Sequence, residues 1–423
     1  MDVLIIGAGA AGLAACRELQ SNRLNVVILE ARTRVGGRIL THRSMPNTIE
    51  LGAEFIHGKP SAIWSLVKKA HLDPLEVPGV RMVSGAGKLY SDINFWRAVE
   101  KINRRIDPTQ DIPYTDFLAE VEGSSFEKRA AKSYVEGFNA ASAENIGTAA
   151  IAISERAAEA SEGRRQFRLS KGYGSLIEWM ARDLPTVHLQ TEVREIHWQP
   201  HKVEVVAHTP GGPRSFSAPR IVVTVPLGVL RAQPGARGAV RFMPSLPQLS
   251  TAFAGLEMGH VIKLNISFKE RFWDSFGRFG IAIALDEELP TWWTQAPLDS
   301  NLLTGWAGGP AAEKLIDLSQ EQLLDRAIAT LHNVFNKNAT DLRAQVDSVY
   351  YHNWTNDPFS RGAYSYPKVG GLAAAKALAE PIEDTIFFAG EATNSSGASG
   401  TVHAAIESGI SAARRLLQTA SSD

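Results

Sequence analysis

Cysteine is nearly absent. Cys16 is the chain's single thiol, which excludes an internal disulfide framework and any cysteine-clustered zinc or iron–sulfur site, so no metal is expected. That usage fits a reducing compartment. Net charge is missing as well: 44 Lys and Arg face 45 Asp and Glu, for a balance of −1, so the long-range field that gathers phosphate backbones or anionic lipid is lacking and nucleic acid is not expected as a partner. No stretch approaches the ~20 uninterrupted apolar residues of a membrane span. The apolar start Val3–Ile6 lacks the basic leader and apolar length of a signal peptide. Together these absences read as a cytoplasmic protein with no membrane partner. No repeat or low-complexity tract interrupts the 423 residues, and 44% hydrophobic content over that length suffices for two interleaved domains with buried cores.

What is present begins at the first residues. Val3-Leu4-Ile5-Ile6 is a short β-rich run of the kind buried in a parallel sheet, and Gly7-Ala8-Gly9-Ala10-Ala11-Gly12 follows at once, leading into the helix former Leu13–Leu19. A second run, Val26–Glu30, closes the βαβ unit and ends on an acid, Glu30. This is the context that a dinucleotide fingerprint requires. Gly7, Gly9 and Gly12 allow the turn, the approach to a pyrophosphate and the packing of helix on strand, while the helix N-terminus offers free amides and positive dipole, so Ala10 and Ala11 of the turn are also expected at the ligand. Glu30 is suited to accept hydrogen bonds from a ribose 2′-hydroxyl, and its charge disfavours a 2′-phosphate.

Further along, Phe117–Tyr134 and Thr148–Ser161 read as helices, and strands return at Val187–Gln190, Val203–Val206 and Arg220–Pro226. Alternating, aromatic-rich β character runs from Val261 to Trp306, then the amphipathic helix Gln320–Asn333. The end returns to a strand at Ile386 and a helix over Thr401–Leu417. The expected fold is α/β (α+β overall): a Rossmann-like nucleotide domain, discontinuous in sequence, beside a mixed-sheet and helical substrate domain. The division assigns 1–75, 186–245 and 380–423 to the first and 76–185 and 246–379 to the second.

The fingerprint alone does not separate NAD from FAD, since both share the ADP half. Glu30-Ala31-Arg32-Thr33-Arg34-Val35-Gly36-Gly37-Arg38 resembles the second signature of the flavin amine oxidase superfamily, in which two glycines permit close approach and arginines pair with the cofactor's phosphates. Leu51-Gly52-Ala53-Glu54-Phe55-Ile56-His57-Gly58 is similar to the flavin-edge loop of polyamine oxidases. So, in family order, are segments starting at Leu169, Val225, Trp354, Gly362, Phe388 and Gly400. The resemblance covers nearly the whole chain and implies FAD as the cofactor.

It also implies roles. Ala31, Arg32, Gly36, Gly37 and Arg38 are expected at the cofactor, with Gly52, Ala53, Glu54 and Trp354 along it and Val193 on its adenine side. Gly390 and Glu391 face its pyrophosphate and ribityl chain, and Thr401 and Val402 open a helix near its pyrimidine edge. Lys263 corresponds to the family lysine that holds a water against flavin N5. Tyr364 matches one wall of the aromatic cage that directs an amine to the ring, and Thr401 stands where monoamine oxidases carry the second tyrosine. Ala363 replaces their flavin-linking cysteine, so the FAD is expected to be noncovalent. His57 and Glu54 are candidates to meet the substrate, together with Tyr364 and Thr401. On a regular strand His57 and Glu54 would point to opposite faces, so both can line one pocket only if Gly52 or Gly58 breaks the alternation.

The resemblance thus implies an amine oxidase that takes a polyamine-like amine and O2 and releases peroxide. Other readings are an oxidase of another primary amine or an L-amino acid, which needs a cation for the carboxylate, and a desaturase of the same superfamily acting on porphyrin or isoprenoid. Histone demethylation is disfavoured, because no long inserted helical hairpin is legible. Trp292, Trp293 and Trp306 are candidates to line the substrate cavity, although aromatics in a β-rich region are more often core, and Arg164, Arg165 and Arg168 are assigned to a solvated face.

Overall fold

The computed structural model describes residues 1–44, 47–79, 81–85, 88–91, 94–184, 187–276 and 279–420. The strand Val3–Ile6, the helix Ala10–Ser21 and the strand Val26–Leu29 form the βαβ unit. Their sheet has five parallel strands, in the spatial order Val187–His188, Val26–Leu29, Val3–Ile6, Arg220–Val223 and Ile386–Phe388. Alternation sends Val3, Ile5, Ile28 and Phe387 into a core shared with the first and last helices, while Leu4, Ile6, Leu29 and Phe388 enter a second core on the opposite face. A parallel sheet covered on both faces needs strands apolar throughout, which is why these runs show no polar alternation. The last helix, Val402–Ala420, lies against Ala10–Ser21 and closes the first of these cores.

Phe167, Leu169, Tyr173, Leu176, Ile177 and Met180 also pack into that core, although the expected division placed them in the second domain. The boundary expected at 185–186 falls outside the described residues. A second sheet of seven strands is built around Val261–Phe268, which pairs with Leu302–Gly308 on one side and Val346–Tyr351 on the other. Ile262, Leu264, Ile266 and Phe268 face a core shared with the helix Gln320–Phe335. That helix opens on a capping box between Ser319 and Gln322 and stops where Asn336 turns left-handed. Alternation therefore turns Lys263 and Asn265 the other way, towards Glu50 and Gly52 of the first unit, where both are buried.

A helical layer covers the remaining side. The helix expected over Phe117–Tyr134 is two helices, Tyr114–Glu120 and Ser125–Asn139, because Ser124 and Glu127 form a capping box that restarts the chain after Gly123. Among the described residues no helix is long and apolar enough to cross a membrane.

One glycine shows how tightly the βαβ unit is drawn. A Cβ at Gly12 would run into the carbonyl oxygen of Gly7, so helix and strand touch through backbone. Gly12→Ala is predicted to cost about 1–3 kcal/mol of stability. Urea unfolding of the apoprotein measures this, and FAD uptake is expected to weaken with it.

Candidate functional site

A cavity of about 850 Å³ starts at the glycine turn and runs between the two sheets to the helical layer. At its inner end Gly9 and Gly37 pass backbone to backbone: a Cβ on Gly37 would stand 3.4 Å from Gly9 Cα. Gly7, Ala10, Ala11, Ala31 and Gly36 line the same end, and no side chain caps the start of the first helix. Gly12 stands behind this wall, in contact with Gly7 rather than facing the cavity. Glu30 is buried and already oriented, its carboxylate accepting from Ala8 N at 2.7 Å and Arg32 N at 2.8 Å. Val193, on the strand Glu192–Gln199 of a mixed four-stranded sheet, completes this end.

The three arginines of the second signature are all engaged by protein. Arg32 pairs with Asp357 at 2.7 Å and donates to Ser360, and Arg38 donates to Glu391 and to Ala363 O, each at 2.8 Å. Arg34 turns back into its own loop, donating to the carbonyls of Val35, Gly37 and Ile39. Burial, with Arg32 beside it, lowers it to about 10. Its part is to shape the Gly36-Gly37 turn, whereas Arg32 and Arg38, the two expected at the cofactor, line the cavity.

Midway, Gly390 adopts φ +142° with open space where a Cβ would be, so the backbone itself borders the cavity. Glu391 beside it is consumed by Arg38, Ser365 and Gly400 N. Thr401 caps the last helix, accepting from Ala404 N, and Val402 opens it at the cavity wall. Gly52, Ala53 and Trp354 line the opposite side. Backbone donors at a helix start, a glycine cradle and an oriented acid match what FAD presents along its length, so the residues fit that cofactor.

At the far end Lys263, Tyr364 and His57 line one chamber. Tyr364 is fixed by donating its hydroxyl to Phe138 O at 2.8 Å. The chain from Gly52 to Phe55 is irregular and only Ile56–His57 is strand, so alternation is broken and Glu54 lines the cavity together with His57. Glu54 is not free to attract a cation. Lys263 Nζ stands 2.6 Å from its carboxylate and Arg168 3.4 Å, all three side chains being almost fully buried. Burial alone would raise Glu54, and the two cations hold it below the usual carboxylate range. Burial pushes His57 down to about 4, and His403, also lining the cavity, down to about 4 by burial with His57 beside it. Both imidazoles are neutral at pH 7.

Two readings of the sequence are resolved here. Trp293 and Trp306 line the cavity, with ring centroids 5.8 Å apart, while Trp292 is core against Gly305. Arg168 is not on a solvated face: it is buried, donating to Gln295 and Thr294 O. Its only signal was its place between Phe167 and Leu169, which are both buried. His403 and Phe138 also line the cavity without having been singled out; Phe138 packs edge-on against His57 at 5.6 Å. Among the described residues no group of His, Cys, Asp or Glu could hold a metal ion.

A family model described as flavin containing amine oxidoreductase matches residues 10–417. Lysine-specific histone demethylase 2 of Homo sapiens is 29% identical over 431 residues, covering 93% of this chain and 50% of that protein. Polyamine oxidase 4 of Oryza sativa subsp. japonica is 28% identical over 447 residues, covering 97% of this chain and 88% of that protein. The chain thus spans about half the length of the human demethylase. Of solved structures, putrescine oxidase bound to putrescine superposes with a TM-score of 0.83 at 21% identity, each chain covered to 99%. Cyclohexylamine oxidase from Brevibacterium oxydans IH-35A gives 0.82 at 21%, again with 99% of each chain covered. At that identity the likeness establishes the fold.

Beneath the chamber, burial pushes Glu50 up to about 7, against the pull of Tyr173 N–H and Lys263. A carboxyl raised in the folded state stabilises most below its unfolded pKa of 4.5 and loses that contribution as pH rises through about 7. Glu50→Gln, a permanently neutral mimic, is predicted to flatten this window. Urea unfolding at pH 5 and pH 8 should show the wild type losing more stability than the variant.

Proposed function

The chain belongs to the flavin containing amine oxidoreductase family, and from that premise we propose that it oxidises a C–N bond of a polyamine-like amine. Bound FAD would supply the redox chemistry, taking up a hydride equivalent from the amine's α-carbon and giving two electrons, with two protons, to O2 as hydrogen peroxide, and water would hydrolyse the imine to an aldehyde and an amine. In this reading 1–75, 186–245 and 380–423 carry the cofactor, with the buried stretch Phe167–Met180 packed beneath it, and the rest shapes the substrate side. The cofactor is held noncovalently: Ala363 borders the cavity, and the one thiol, Cys16, lies in the core of the first helix, raised by burial to about 12.

The observation that carries the reading is Lys263, a buried ammonium on the wall of a cavity that begins at a dinucleotide turn. A buried cation is costly and is kept where it acts. Around it the chain's residues orient and desolvate. Tyr364, Trp293 and Trp306 line the cavity with rings that offer apolar surface to an approaching amine. Glu54 is already compensated and the imidazoles are neutral, so the part of the cavity that these residues line offers no free anion to hold the ammonium form. It favours the neutral amine, whose nitrogen lone pair is available as the α-hydrogen leaves. His57 accepts a hydrogen bond there without adding charge.

Anaerobic titration of the FAD-loaded protein is the test. Spermidine or spermine is expected to bleach the flavin band, faster as pH rises through the amine's own ionisation, and peroxide to appear on readmitting oxygen. Bleaching by an N-methyl-lysine peptide in preference to polyamines would move the reading to a demethylase; silence with every amine would overturn it. Lys263→Met is expected to slow flavin reduction or reoxidation with FAD still bound. Tyr364→Ala should lower kcat/KM on the order of tenfold with FAD retention unchanged.

A further inference from the structure

Glu54 meets more partners than a structural carboxylate needs. Its Oε2 stands 2.6 Å from Lys263 Nζ. Its Oε1 accepts from Trp293 Nε1 at 3.1 Å and Gln295 Nε2 at 3.4 Å, and lies 3.4 Å from the Arg168 guanidinium. Arg168 is held in turn by the side chain of Gln295, the carbonyl of Thr294 and the face of Phe55. One oxygen is thus fixed by Trp293, Gln295 and Arg168, and the other is left to the lysine.

Such an array is a poor way to gain stability, because well-packed apolar residues of the same volume would serve as well without desolvating three charges. What it secures is direction. A lysine side chain has four flexible methylenes and three N–H donors. Glu54 holds the ammonium as its ion-pair partner and Gly52 O, at 3.1 Å, takes one donor, while the Trp293 ring lies 5.6 Å from the nitrogen. Among the described residues no further acceptor meets the ammonium, which leaves donors for what occupies the cavity.

We propose that Glu54, its carboxylate fixed by Arg168 and Trp293, is a positioning residue that aims the Lys263 ammonium into the cavity and does not itself attract the amine. The proposal rests on the reading of Lys263 given above.

A double-mutant cycle tests it. Glu54→Gln is expected to lower kcat on the order of tenfold with KM for the amine held within about twofold, and in a Lys263→Met background the same change should move kcat by less than about twofold. Apoprotein melting gives a readout independent of turnover: the drop caused by Glu54→Gln should be smaller once Lys263 is Met, because one stranded cation is gone. If Glu54→Gln fails to fold, Glu54→Gln/Arg168→Met keeps the net charge of the array and takes its place in the cycle. A rise in KM at constant kcat would make Glu54 the amine's anchor and overturn the proposal. An equal loss of kcat in both backgrounds would overturn it too, by making Glu54 structural. Lys263→Met that leaves both half-reactions unchanged would instead defeat the reading of Lys263, and the proposal with it.

Discussion

The five residues Glu50 to Glu54 are clamped from both sides, and the geometry of the cavity depends on that clamp. Asn265 donates to Glu50 O, Trp354 to Leu51 O and Lys263 to Gly52 O, while Ala53 N reaches back to Arg38 O. Gly52 is small for a reason, since a Cβ there would strike the Arg38 carbonyl. Arg38 belongs to the nucleotide end and Lys263 to the seven-stranded sheet. The segment therefore ties the two units into one wall, and it does so mostly through its carbonyl oxygens. Moving any one of these donors would shift the Lys263 ammonium relative to the glycine cradle.

From that constraint the electrostatics of the chamber follow. Two buried cations share one carboxylate, two imidazoles are kept neutral by desolvation, and the rings of Trp293, Trp306 and Tyr364 line the same cavity. A chamber of this kind penalises extra charge and rewards a neutral, polarisable guest. At the opposite end the helix start, the glycine backbone and Glu30 offer hydrogen-bond donors and an acceptor to a nucleotide. One cavity holds both environments, a backbone-lined end beside an oriented acid and an end where two cations and one carboxylate compensate each other.

The nucleotide end was legible in the sequence because it is local. Strand, turn, helix and acid lie within the first 30 residues, and four-residue apolar runs are what a sheet covered on both faces demands. The chamber was less so, because its chemistry joins residues far apart in the chain. Glu54 reads as an acid near a pocket; only the pairing with Lys263 and Arg168 shows that its charge is spent. Arg168 reads as one of three basic neighbours, yet Arg165 is at the surface with Glu76 while Arg168 is buried. Adjacent tryptophans divide likewise, Trp292 into the core and Trp293 to the cavity, since successive side chains of a strand point to opposite faces. Which face is the cavity is a property of the packed sheets, absent from any local pattern.

The most direct measurement is the crystal structure of the protein reconstituted with FAD. The account predicts an isoalloxazine ring between Lys263 and Tyr364, with its diphosphate at Gly9 and Gly37 and the Lys263–Glu54 pair intact. Density placing the ring away from both side chains, or a protein that takes up no FAD, would contradict it.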